Sequence, residues 1–113
     1  AFEQFDFFKV PPDGEGNAWH LYILRIVPEL LSVNRDDFAR ALQERGLGIS
    51  VHFIPHFEMT FLKKRYGLRA QDFPNAVEHY AQSISLPFWP DMRDEDVQYV
   101  IDTVIDTAKK FRR

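Results

Sequence analysis

The sequence predicts an α+β domain: a small antiparallel or mixed sheet of about three strands packed against helices. Three observations carry this reading. The C-terminal stretch holds a long apolar stripe at helical spacing, bounded by acidic residues at its start and basic residues at its end. The extended, β-rich runs are too few and too short for a doubly wound sheet. Turn-forming Gly, Pro and Asn residues separate the periodic segments into the order β-α-β-α-α-β-α.

Each element has its own signal. Residues 11–18 (PPDGEGNA) are a loop by composition. The run from His20 to Ile26 predicts a strand with apolar residues on both faces, Arg25 being its one charged member. Asn34 is placed to cap a helix over 35–45, with Asp36 and Asp37 in its first turn and Gly46 beyond its last; Phe38, Ala41 and Leu42 form the apolar stripe. Past Gly48, the alternation of Ile49, Val51 and Phe53 against Ser50, His52 and Ile54 predicts a second strand, stopped by Pro55. A helix over about 57–66 would turn Phe57, Phe61 and Leu62 inward and end at Gly67. Asp72, Phe73 and Pro74 open a further helix with Val77, Tyr80, Ala81 and Ile84 at helical spacing. Ser85 to Phe88 reads as a brief extended piece closed by Pro90. In the last helix Asp94, Glu95 and Asp96 face the dipole's positive end, and Lys109 and Lys110 its negative end.

Composition narrows the function. With 113 residues, 45% hydrophobic and 27% charged, the chain is long enough for one compact domain over residues 1–113. A net charge of −3 provides no basic face for nucleic acid. The absence of cysteine excludes disulfides and thiolate metal sites. No apolar run approaches the roughly 20 residues of a membrane span, so no membrane role and a cytoplasmic location are expected. The chain opens without Met on an aromatic-rich stretch, Phe2 to Phe8, which predicts packing against this domain's own helices or against a missing partner.

Few side chains suggest chemistry. His52 and His56 lie four apart around Pro55, on strand-like rather than helical sequence. With Glu58 as the one further donor nearby, no metal set is completed. His52 stands at a strand end running into a Pro-bounded loop, where binding sites are commonly built. His20 and His79 lack such a setting, and Lys63-Lys64-Arg65 reads as a solvated face. Ser83 and Ser85 show no nucleophile–base arrangement, and Gly14-x-Gly16 is a turn rather than a phosphate loop.

Three segments together resemble the C-terminal part of the DegT/DnrJ/EryC1/StrS aminotransferases, over roughly residues 18–106. They are a turn into an extended run, Leu42 through Gly46 to Ile49; a histidine-aromatic-x-Pro-x-His pattern, His52, Phe53, Pro55 and His56; and an LPxxP pattern, Leu86, Pro87 and Pro90. Phe53 stands where Tyr is common in the family. The resemblance implies the small C-terminal domain of a fold-type I enzyme that uses pyridoxal phosphate (PLP) to move an amino group from an amino acid, commonly glutamate, to a keto nucleotide sugar. It implies His52 and His56 as substrate contacts near the active-site entrance. It also implies a large N-terminal PLP-binding domain on the same polypeptide and a homodimer. PLP chemistry needs a Schiff-base lysine. Lys9, Lys63, Lys64, Lys109 and Lys110 stand outside the family's lysine context, so the expectation is an inactive fragment without its own cofactor. The alternative is a stand-alone binding or scaffold module of the same fold.

Overall fold

A computed structural model describes residues 1–113. Three strands, β1 (Phe8–Lys9), β2 (Tyr22–Ile26) and β3 (Ser83–Leu86), form an antiparallel sheet in the order β1-β2-β3. Four helices accompany it: α1 (Arg35–Glu44), α2 (Thr60–Tyr66), α3 (Pro74–Gln82) and α4 (Asp94–Phe111). The architecture is α+β, as the sequence predicts.

One face of the sheet makes the core. Leu24 of β2 lies opposite Ile84 of β3, Tyr22 opposite Leu86, and Phe8 of β1 opposite Ile26. These side chains pack with Phe38 and Leu42 of α1 and with Val104 and Ala108 of α4 in a single apolar cluster. The opening aromatics close its edge: Phe2, Phe7 and Phe8 are buried, with the Phe7 and Phe8 rings edge to face at 4.8 Å. Of the two placements open to this stretch, the domain's own core is the one it occupies.

The second face of β2 is half-covered. Arg25 reaches across it to Gln82 of α3, its Nε and Nη2 donating to Oε1 at 3.0 and 2.8 Å, while Glu78 accepts from Nη2 at 3.2 Å. This is why a charged residue sits in an otherwise apolar strand.

Helix ends follow the sequence signals where those were strongest. Asn34 Oδ1 accepts from the Asp37 amide at 2.9 Å. The carbonyl of Phe111, last in α4, accepts from both the amide and the hydroxyl of Ser32, at 2.7 and 3.0 Å. Between α1 and α4, Arg45 donates to Thr107 Oγ1 at 2.9 Å, and Tyr99 donates its hydroxyl hydrogen to the Arg45 carbonyl at 2.7 Å.

Three expectations are corrected. Residues 49–54 form no strand; Ser50 alone pairs, in a two-bond bridge with Ser85. β3 ends at Leu86 before Pro87, which has no amide hydrogen to extend a ladder, and the segment turns away so that Phe53 is 74% exposed. Helix α3 stops at Gln82, and Ile84 belongs to β3 rather than to a helical stripe. The helix expected over 57–66 begins only at Thr60; Phe57, in the 3-10 turn before it, is buried, while on α2 Phe61 points outward, 70% exposed, and Leu62 is half-buried.

Candidate functional site

The segment 49–58 is a loop pinned at both ends and tied to the sheet edge at Ser50 and His52. Ile49 enters the core at one end, and Phe57 is buried at the other, stacked on Phe73 with ring centroids 5.7 Å apart. The Ser50–Ser85 bridge fixes the loop to the sheet edge: the Ser85 amide donates to Ser50 at 2.8 Å. His52 therefore stands directly beside β3. Its Nδ1 is 2.8 Å from Ser85 Oγ, and the Phe53 ring meets the imidazole edge-on at 4.8 Å.

His56 opens the short 3-10 turn His56–Glu58 and is exposed. It rims a cleft of about 390 Å³ whose walls are mainly apolar: Ile54, Pro55, Phe57, Leu68 and Phe73. Both histidines chosen from sequence thus lie on one loop, with different settings. His52 is half-buried and held by a hydrogen bond, and His56 is held by the turn alone. His56 and Glu58 join no set of three side chains placed to ligate a metal.

One ion pair, Arg69 with Asp72, stands beside the cleft. Arg69 hydrogen-bonds Asp72 through two nitrogens, at 3.0 and 2.9 Å, and holds its carboxyl below the usual carboxylate range. Lys63, Lys64 and Arg65 are exposed on α2.

Sequence reasoning missed the serine partners of His52 and His79. Ser83 and Ser85 each meet an imidazole: Ser83 with His79 and Ser85 with His52. The alternation Ser83-Ile84-Ser85-Leu86 is the signal that could have shown it, because period 2 puts both serines on the face opposite the core. Burial keeps them from acting as nucleophiles, at 2% and 4% exposure. Arg35 was also missed. It is 7% exposed at the start of α1, its guanidinium 4.7 Å from the Tyr80 ring centroid and 3.3 Å from the Ser83 carbonyl oxygen. Its Nε lies 2.8 Å from Asp36 Oδ1, an ion-pair distance without hydrogen-bond alignment.

A PLP cradle does not fit these residues. None of the lysines lines the four principal clefts. Lys9 pairs with Glu78 on the surface, Lys63 and Lys64 are solvated, and Lys109 and Lys110 lie over the rings of Phe5 and Phe111.

Sequence and fold both have counterparts among known proteins. The chain is 39% identical over 112 residues to the spore coat polysaccharide biosynthesis protein SpsC of Bacillus subtilis (strain 168), a match covering 96% of this chain and 29% of SpsC. The fold superposes on Helicobacter pylori PseC, an aminotransferase involved in the biosynthesis of pseudoaminic acid. The TM-score is 0.87 at 21% identity, over 97% of this chain and 29% of PseC. A second solved structure, the putative sugar aminotransferase Spr1654 of Streptococcus pneumoniae in its PMP-form, matches with a TM-score of 0.71 at 28% identity, over 80% of this chain and 22% of that one. The chain thus spans less than a third of the length of each of these proteins. The model of the DegT/DnrJ/EryC1/StrS aminotransferase family matches residues 1–105, and with the α+β fold and the histidine loop in place, the chain belongs to that family.

Proposed function

We propose that these 113 residues are the small C-terminal domain of a PLP-dependent sugar aminotransferase, catalytically inactive alone. The parent enzyme transfers an amino group from an amino acid, glutamate in this reading, to a keto nucleotide sugar in the cytoplasm. PLP is held by a large N-terminal domain of the same polypeptide, within a homodimer. His52 and His56 reach the substrate from the rim of the cleft between the domains.

The observation that carries this reading is surplus surface, and where it lies. The domain exposes 7690 Å², about 1,200 Å² more than the roughly 6,450 Å² expected of a compact monomer of 13.3 kDa. Of the eleven large apolar side chains that are exposed, seven fall between residues 53 and 77, the stretch that contains His56, and the other four, Phe88, Trp89, Val97 and Tyr99, between 88 and 99. An apolar surface of that kind is a docking face. No lysine lines any of the four principal clefts, which is consistent with a cofactor held elsewhere.

The test compares the full-length polypeptide with the 113-residue chain, each supplied with PLP, glutamate and a keto nucleotide sugar. Full-length protein is expected to turn over and the short chain to be inert. His52→Ala and His56→Ala in the full-length enzyme are each expected to raise KM for the sugar about tenfold, the cost of one charge-assisted hydrogen bond. A native polypeptide of 13.3 kDa, or a full-length protein that ignores PLP, would leave a binding module as the better account.

A further inference from the structure

Two serines on β3 each contact a histidine, and the hydroxyl hydrogens divide them. Ser83 Oγ donates to the His79 carbonyl at 2.6 Å. A hydroxyl has one hydrogen, so its 3.0 Å contact with His79 Nδ1 uses an oxygen lone pair, and Nδ1 must donate. Ser85 is as deeply buried, at 4% exposure, and its hydroxyl contacts only His52 Nδ1, at 2.8 Å. A buried hydroxyl hydrogen left unpaired is costly, so Ser85 donates and His52 Nδ1 accepts. A neutral imidazole that accepts at Nδ1 carries its hydrogen on Nε2. His52 Nε2 makes no hydrogen bond within the chain, and it is not among the sealed, unpartnered atoms, so it faces solvent.

We infer that β3 sets opposite tautomers on its two histidines, and that Ser85 is a positioning residue which makes His52 present an Nε2–H donor to an acceptor oxygen of the bound substrate. The ligand half of this inference rests on the proposal that His52 faces substrate; the tautomer half stands without it. A donor fixed at this atom suits a phosphate or hydroxyl oxygen and disfavours an amino group. His52 thus grips the acceptor substrate through its oxygens and leaves amine handling to other residues. Ser85 acts at one remove. It does not touch the ligand, and its hydrogen bond to Nδ1 favours one orientation of the ring.

The experiment is ¹⁵N NMR of histidine-labelled full-length polypeptide, recorded at about pH 8.5, two units above the value of about 6.5 for a free imidazole. His52 is expected as the Nε2–H tautomer and His79 as the Nδ1–H tautomer. Ser85→Ala should move the His52 Nδ1 resonance and leave His79 unchanged, which reports an intact fold in the same spectrum; Ser85→Thr should restore the His52 signal. An Nδ1–H tautomer at His52, or one tautomer shared by both histidines, overturns the assignment. Binding of a nucleoside diphosphate and of a free hexose is then compared across variants. His52→Ala should lose about tenfold for whichever probe supplies the oxygen, His52→Gln, which keeps a donor near Nε2, should stay within about threefold, and Ser85→Ala should lose about threefold. If neither probe weakens while the tautomers are as stated, the substrate contact is refuted and the tautomer assignment survives.

Discussion

Glu78 gathers three partners at the edge of the sheet. Lys9 Nζ lies 3.4 Å from its carboxylate, Gln82 donates at 3.3 Å and Arg25 at 3.2 Å. The Lys9 hydrogen bond and charge, then Gln82 and Arg25, hold the Glu78 carboxyl below its ordinary value. A carboxylate whose pKa is depressed on folding stabilises the fold above its unfolded value of about 4.3, and that contribution is lost as pH falls through the lower folded value. Replacing Glu78 with Gln is therefore expected to lower stability at neutral pH and to flatten its decline below about pH 4. Urea titrations at pH 7 and pH 3 measure this; equal losses at both pH values would refute the linkage. Arg45 works differently, as a clamp between α1 and the buried hydroxyl of Thr107 on α4. Thr107→Val keeps the shape and removes the acceptor, so a loss of about 1 kcal/mol is expected, measured by chemical denaturation.

At the scale of elements, the molecule divides into a tight half and a loose one. β2, β3, α1 and α4 share the apolar cluster. Helix α2 has no buried residue, and α3 buries only Gln82, at its last position. Such segments open locally at low free energy. Amide hydrogen exchange in the 113-residue chain should therefore be fastest across 59–77 and slowest in β2 and the middle of α4; uniform protection would contradict this division. The Phe57–Phe73 stack ties the histidine loop to the residue that caps α3. Phe57→Ala is expected to cost about 3 kcal/mol or more, as for buried rings generally, and to speed exchange in α2 selectively. Asn34→Ala removes the α1 cap and should cost about 1 kcal/mol, measured by thermal unfolding.

The whole molecule is extended for its length. Its radius of gyration is 15.5 Å and its extents are 47 × 36 × 26 Å, against about 13 Å for a compact chain of this size. The long dimension goes with apolar surface that the fold leaves uncovered, not with a failed core. The 113-residue chain is accordingly expected to self-associate at high concentration, through residues 53–77 and not through Phe2 to Phe8. Phe61→Ser should reduce association, and Phe5→Ser should not. Sedimentation velocity across a concentration series measures both, and a strictly monomeric profile would count against the docking face.

The sequence by itself determined the elements whose signals are local. Asn34 caps α1 because an Asx side chain satisfies a nearby amide, and α4 is legible because one stripe and two charged ends agree over eighteen residues. Of the histidine loop only the break at Pro55 is local, because a residue without an amide hydrogen stops a ladder in any context. What the tertiary structure decided were competitions between distant parts. Residues 49–54 have the alternation of a strand, but pairing requires a partner, and β3 had a single residue, Ser85, to offer. Ile84 fits a helical stripe and a strand equally well; a core position opposite Leu24 chose the strand. The aromatics of the first eight residues carry no record of which surface they cover, because burial is a property of neighbours far along the chain. The serine partners of His52 and His79 depended on the same thing. A hydrogen bond across 33 residues exists only once the sheet has brought its ends together.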